Sequence, residues 1–297
     1  MKKLLLNTVL LVTLLITGCG TVKMEENKMT TKIQLIRNAT MKIEYAGKTF
    51  LTDPMFSEKG SLPGFLSPDQ LVNPTSALPL AYESLTENID GIILSHTHIP
   101  AEDLPTPPSD HFDPLAIEVI NKGIQLYAQP FDVPGLKRVG FNKIAPVEQS
   151  IDIDGIKVTR VIGEHVDIDQ LIPMIGESSG YVFEKEGHPT LLWTGDTLLT
   201  DEIKQAITKH SPDIIITHSG GAQLPIDAEG NKATLLMDDK ATVEVAQLAP
   251  QAKIVAVHLE ALDHCPVTRV QLRSLADASG ISSDQLLIPE NGEVLEF

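Results

Sequence analysis

Apolar and polar positions along this chain follow three patterns. Near the start, Ile33-Gln34-Leu35-Ile36 and Met41-Lys42-Ile43-Glu44-Tyr45 alternate, and Ala46-Gly47-Lys48 turns the chain into Thr49-Phe50-Leu51-Thr52. A period of two predicts strands with one buried face. Further on, five short runs are mostly apolar: Ile92-Ile93-Leu94-Ser95, Val158 to Ile162, Leu191-Leu192-Trp193, Ile214-Ile215-Ile216-Thr217 and Ile254-Val255-Ala256-Val257. Runs of this kind between Gly, Pro and polar residues read as buried strands. A helical period appears after Asp113-Pro114, with Asp as N-cap, Pro in the first turn, Leu115, Ala116, Val119 and Ile120 as the apolar face, and Gly123 as the stop. Helices are also predicted over Asp201 to Lys209, Met237 to Leu248 and Thr268 to Ala278. Strands dominate the first half and alternate with helices in the second, which predicts a mixed α/β layered domain. Residues 58–80, rich in Gly, Pro and Ser, predict a long loop of the kind that usually carries function.

Each of the five apolar runs ends on chemistry. They lead to His96-Thr97-His98, Gly163-Glu164-His165, Thr194-Gly195-Asp196-Thr197, His218 and His258. Strands of one sheet finish along a common edge, so these side chains are expected to converge. In His96-Thr97-His98 the two imidazoles fall on the same side of an extended segment. Imidazole and carboxylate together suit zinc, iron or manganese. A metal centre is therefore the expected chemistry.

Composition adds a compartment and removes a partner. The chain has 297 residues, 42% of them hydrophobic, and a net charge of −17, which becomes −19 without the first 18 residues and their Lys2 and Lys3. So acidic a surface repels nucleic acid. Lys2-Lys3 followed by the apolar stretch Leu4 to Ile16 is too short to span a bilayer and reads as a signal peptide, residues 1–18. Leu15-Ile16-Thr17-Gly18-Cys19 resembles the bacterial lipobox, which implies a lipidated Cys19, a polar tether over residues 19–31, and a membrane-anchored, extracytoplasmic lipoprotein of a bacterium. Each buried acyl methylene contributes about 0.8 kcal/mol, so several chains hold firmly. With Cys19 acylated, Cys265 has no partner for a disulfide and reads as a small buried apolar residue.

Over residues 32–297 the chain resembles the metallo-β-lactamase superfamily, and within it the branch of ascorbate-6-phosphate lactonase-like proteins. The resemblance rests on Ile36-Arg37-Asn38-Ala39-Thr40, Leu51-Thr52-Asp53-Pro54, Leu94-Ser95-His96-Thr97-His98, Asp110-His111-Phe112-Asp113, Trp193-Thr194-Gly195-Asp196-Thr197 and Val257-His258-Leu259-Glu260. It implies an αββα four-layer sandwich with a two-metal site at one edge of its sheets. The family text His-x-His-x-Asp-His is interrupted here, because residues 99–109 stand where one residue is expected. Either the extra residues loop out, at a closure cost of about 2 kcal/mol, or the second metal position is broken and Glu102 or Asp103 substitutes there. Looping out is the reading adopted, and it places both Asp110 and His111 at a metal.

The resemblance implies that His96, His98 and His165 hold one divalent cation and Asp110, His111 and His258 another, with Asp196 bridging. The cofactor expectation is two divalent metal ions, zinc first, with manganese or iron as alternatives. A hydroxide made available at such a pair attacks an ester, lactone or phosphodiester. Asp110 would orient the water, and His264 would line the pocket or protonate the leaving group, unless it is only structural. A net positive site would accept anionic esters, and the expected substrate is a small molecule or lipid-like compound. The alternative is a lipoprotein that binds metal or ligand without turnover because its second position is disrupted. His218 is expected beside the site rather than as a ligand, and His188 and His210 in solvent. Asp53 either accepts a hydrogen bond from a ligand histidine or merely ends a strand.

Overall fold

A computed structural model describes residues 30–105, 107, 109–227 and 229–297; the expected signal peptide, Cys19 and nearly all of the tether lie outside these residues. Strands β1 (Lys32–Arg37), β2 (Thr40–Tyr45) and β3 (Lys48–Thr52) form an antiparallel meander. A ribbon of β4 (Leu62–Pro63) and β5 (Leu71–Asn73) and a short helix α1 (Tyr82–Thr86) come next. They are followed by β6 (Gly91–Ile93), α2 (Pro114–Val119), β7 (Leu126–Ala128), α3 (Val133–Arg138) and β8 (Ile144–Pro146). The second half contains β9 (Ser150–Ile153), β10 (Ile156–Gly163), α4 (Ile172–Ile175), β11 (Ser178–Glu184), β12 (Leu191–Trp193), α5 (Asp201–His210) and β13 (Ile214–His218). A second ribbon, β14 (Gln223–Pro225) with β15 (Lys232–Thr234), precedes α6 (Asp239–Leu248), β16 (Lys253–Val257), α7 (Arg269–Ala278), β17 (Leu286–Leu287) and β18 (Val294–Glu296).

Two seven-stranded sheets result, ordered β18-β1-β2-β3-β6-β7-β8 and β17-β16-β13-β12-β11-β10-β9. The alternating strands turn Ile33, Leu35, Met41 and Ile43 into the space between the sheets, where they meet Val158, Trp193, Ile214 and Ile216. The mostly apolar runs have the opposite logic. Ile214 and Ile216 face the other sheet while Ile215 faces the helices, so both faces of β13 are covered and no polar alternation survives. Apolar faces of α5, α6 and α7 (Ile203, Ala246, Leu272) cover the second sheet, and Leu85, Ala116 and Leu136 of α1, α2 and α3 cover the first. The layers run helix, sheet, sheet, helix, as the resemblance implied.

The helix starts follow their caps. Asp113 accepts from the Ala116 N–H at 2.8 Å, Asp238 from Ala241 at 2.9 Å, and Thr268 forms a reciprocal capping box with Gln271. The α2 stop differs from the expectation: Ile120 is already extended (ψ 131°) and buried, so the chain drops towards the sheet before Gly123. Residues 58–80 also differ, because the β4–β5 ribbon lies within them and is tied down at its base. Arg37, buried, donates to the carbonyls of Met55 (2.8 Å), Ser57 (2.9 Å) and Ser76 (3.0 Å). Burial lowers its pKa to about 10 against the pull of Asp113, which leaves it charged at neutral pH. Asp263 accepts from Phe65 N, Leu66 N and Asn73 Nδ2 on the ribbon's other side.

Strand direction fixes where the site forms. β12, β13 and β16 are parallel, and β10 joins them in direction through the antiparallel β11. In the first sheet β3 and β6 are parallel. The carboxyl ends of all these strands meet along one margin of the sandwich, so the site draws on the edges of two sheets rather than the single edge expected from the sequence.

Candidate metal centre

The first cluster forms where β6 runs out. Asp53, just past β3, accepts from Ser95 N (2.8 Å) and Ser95 Oγ (2.5 Å), and Asp132 accepts from Thr97 N (3.1 Å) and Thr97 Oγ1 (2.9 Å). These two buried carboxylates clamp the backbone on either side of His96. The donor atoms of His96, His98 and His165 lie within 4.8 Å of one another. His165 donates its Nδ1–H to the Leu235 carbonyl (2.9 Å), which leaves Nε2 as the free lone pair. His96 turns Nδ1 to Ser95 Oγ (3.1 Å), and its buried Nε2 has no hydrogen-bond partner.

The second cluster lies across the insertion. Residues 101–105 and 107 are exposed, while Ile99 and Ser109 at the two ends are buried, so the extra residues bulge outward from fixed ends. Ser109 Oγ accepts from the His111 and Phe112 N–H groups (3.2 and 3.4 Å) and sets the chain for the α2 cap. Asp110, His111 and His258 then bring their donor atoms within 4.8 Å. His111 directs Nδ1 to Asp53 Oδ2 (2.8 Å) and Nε2 to Asp196 Oδ2 (3.1 Å). Asp53 thus receives a ring nitrogen and does more than end a strand. Asn38 donates to the Asp110 carbonyl and Oδ2 (3.1 and 3.3 Å), and accepts at its own carbonyl from His258 N (3.1 Å). Both Asn38 (φ 58°) and His258 (φ 61°) are left-handed, a conformation that Asn tolerates and His rarely adopts.

Asp196 stands between the clusters. Its Oδ2 faces Nε2 of His111 at 3.1 Å and Nε2 of both His165 and His258 at 3.7 Å. Its Oδ1 meets His218 Nδ1 at 2.5 Å. Every residue predicted from the sequence as a ligand is therefore in one buried region, and neither Glu102 nor Asp103, both exposed, replaces any of them.

A family model described as the Beta-lactamase superfamily domain matches residues 32–258. The chain belongs to the β-lactamase superfamily. It is 33% identical to the UPF0173 protein YddR of Bacillus subtilis (strain 168) over 268 residues, 89% of this chain and 99% of that one. An isothiocyanate hydrolase from Delia radicum gut bacteria superposes with a TM-score of 0.79 at 32% identity, covering 90% of this chain and 98% of the other. A possible metal-dependent hydrolase from Veillonella parvula superposes at 0.80 with 29% identity, over 90% and 99% of the two chains.

Within this β-lactamase-superfamily site the clusters differ in protonation. Burial, and then the neighbouring imidazoles, hold His96 below its ordinary pKa and bring His98 down to about 4. At the second cluster burial is outweighed. Asp196 and Asp110 raise the His111 pKa, and Asp196 together with Cys265 raises that of His258. In return, His111 and His258 hold Asp110 and Asp196 well below the usual carboxylate range despite their burial.

A cavity of about 460 Å³ opens onto the centre, with His98, Asp110, His165, Asp196 and His264 on its floor. Its walls are apolar, including Phe65, Ile99, Phe131, Met174 and Leu224, and none of the described residues lining it is Lys or Arg. His264 packs against Phe65 (ring centroids 4.3 Å, planes tilted by 51°) with its Nδ1 buried and without a hydrogen-bond partner, and burial lowers its pKa to about 4. His210 departs from the solvated role expected of it: its ring is buried against Glu184, with Nδ1 3.0 Å from Oε1. His188 packs 5.7 Å from the Tyr45 ring with a buried Nδ1, so it is not free in solvent either. Sequence reasoning passed over Asp132, whose anchor on Thr97 has no motif to announce it. It also passed over Cys265 as a neighbour of His258, with Sγ 3.6 Å from Nδ1.

Proposed function

We propose that the protein is a metal-dependent hydrolase in which His96, His98 and His165 hold one divalent cation, Asp110, His111 and His258 a second, and Asp196 bridges them. The observation that carries this reading is the buried, unpartnered Nε2 of His96 beside two other imidazoles and a carboxylate. An unsatisfied buried lone pair is costly unless something binds it. The neighbouring rings support the fit, since Leu235 O and Asp53 occupy the Nδ1 atoms of His165 and His111 and turn their Nε2 atoms inward. Bound there, a pair of divalent ions would acidify a water near neutral pH and polarise the electrophile.

The chain's own groups then divide the work. Asp110, on the cavity floor and held ionised, would accept a hydrogen bond from the attacking water and orient it. His264, neutral and on the same cavity floor, would line the leaving-group side of the substrate. The apolar walls exclude water and seat an apolar substituent.

Those walls also select among the substrates the sequence allowed. A phosphodiester or sugar phosphate would find no Lys or Arg among the described lining residues, so an uncharged ester or lactone fits better. The isothiocyanate hydrolase relative is named for a substrate with an uncharged carbon electrophile, which makes isothiocyanates a further class to test here. Zinc comes first among the metals on its preference for imidazole, with manganese and iron as alternatives. The lipobox-like text around Cys19 proposes membrane anchoring outside the cytoplasm, where small diffusible or lipid-like substrates are within reach.

The test is elemental analysis of the purified chain followed by hydrolysis assays with zinc, manganese or iron. The panel contains neutral esters, lactones and isothiocyanates beside anionic phosphodiesters. Two cations per chain and turnover of neutral substrates are expected. A chain that binds metal yet turns over none of the panel would point to the non-catalytic alternative.

A further inference from the structure

His218 ends β13 fully buried, and both of its ring nitrogens are committed. The Trp193 indole N–H donates to His218 Nε2 at 2.8 Å. Indole nitrogen is a donor only, so Nε2 must be the bare, accepting nitrogen and the ring proton must sit on Nδ1. Nδ1 lies 2.5 Å from Asp196 Oδ1, which can only accept. The tautomer therefore follows from the chemistry of the two partners.

This arrangement answers a question the geometry raises. Donor atoms of Asp196, His218 and His258 also lie within 4.8 Å of one another, a further group with ligand-like spacing. Were His218 Nδ1 to bind a cation, the proton would move to Nε2 and point at the indole N–H, donor against donor. No lone pair is left over for a metal.

We propose that His218 is a positioning residue: with its tautomer fixed by Trp193, it holds Oδ1 of Asp196 and leaves Oδ2 alone to face His111, His165 and His258. Trp193, the single tryptophan of the chain, is then two hydrogen bonds from the bridging carboxylate and reports its occupancy. The inference rests on Asp196 being the bridging metal ligand.

The experiment titrates zinc alone into the chelator-stripped full-length chain, following tryptophan emission and, separately, affinity by competition with a chromophoric chelator. For the natural sequence, a saturable emission change is expected, with a dissociation constant equal to the chelator value. His218→Leu should weaken zinc by about 10- to 100-fold, the range for loss of an outer partner of a ligand. His218→Asn keeps an N–H within reach of Asp196 while giving up the indole. It should recover affinity to within about 3-fold of the natural chain, yet lose most of the emission change. Trp193→Phe should bind zinc and show no emission change. If the unmodified chain binds no zinc, the bridging role of Asp196 fails along with the proposal. If it binds zinc but His218→Leu matches its affinity, the metal site stands and the positioning role is overturned. Equal losses in His218→Leu and His218→Asn would also overturn it, since the donated N–H would then not be what matters.

Discussion

The two corners of the metal centre are built from opposite electrostatics. His96, His98 and His165 form a corner of neutral imidazoles, His96 set against a serine hydroxyl and His165 against a main-chain carbonyl, with every pKa pushed down. Asp110, His111 and His258 form a corner where carboxylates and histidines sustain one another's charge, with Asp53 behind His111. Without a cation the second corner can fill itself with protons, whereas the first has only lone pairs. The first is therefore shaped for metal in advance, and the second exchanges protons for metal.

The largest effect is expected where the corners join. Asp196→Ala removes the one carboxylate that faces both, so elemental analysis should find neither cation retained, and kcat/KM should fall by more than about 100-fold, beyond the loss of any outer partner. Retention of two cations would show that the corners bind independently. The contrast between corners is tested next, in the metal-free chain, by urea unfolding. His111→Ala leaves Asp53, Asp110 and Asp196 buried without their shared cationic partner and should cost about 3–5 kcal/mol. His98→Ala removes a neutral ring and should cost less than about 2 kcal/mol. Equal costs would mean that His111 carries no charge in the metal-free chain. Third, Asp53→Asn should weaken metal about 10- to 100-fold, because Ser95 N and His111 Nδ1 donate to separate carboxylate oxygens and an amide turns one of those two acceptors into an NH2. The loss should fall on one bound cation rather than both.

How legible each corner was in the sequence follows the same division. His96, His98 and His165 stand at the ends of apolar runs, and strand direction carries them to one margin with no tertiary information needed. Asp110 and His111 were readable only through the family resemblance, because the insertion destroys their spacing. Their return to the site depends on Ile99 and Ser109 being buried at the insertion's ends, which no local pattern reveals. The helix cap at Asp113 was local and therefore visible, while the α2 stop at Ile120 was set by packing on the sheet. The least legible residues were those that act through backbone, Asn38 and Asp132, whose partners lie 72 and 35 positions away.

Last comes Asp132, which gives the sharpest contrast with Asp53. Both carboxylates are buried and both hold the segment from Ser95 to His98. Besides the Ser95 amide and hydroxyl, Asp53 meets an imidazole, whereas at Thr97 Asp132 meets a hydroxyl and an amide. Burial raises the Asp132 pKa from 3.8 to about 7, with hydrogen bonds from Thr97 and Gln129 opposing it only in part. Between those values the native state holds a proton that the unfolded chain has released. Stability thus falls as pH climbs through this window and stops falling above about 7. The full span is of order 4 kcal/mol, at about 1.4 kcal/mol per pH unit. Asp132→Asn has no such proton to lose. Urea midpoints of the metal-free variant should lie below those of the natural chain near pH 4, where the lost acceptor at Thr97 dominates. They should close on it, or pass it, as pH approaches about 7, and run parallel beyond. Curves that stay parallel from acid to neutral pH would mean that Asp132 is ionised throughout, and that Thr97 is clamped by a charge rather than by a shared proton.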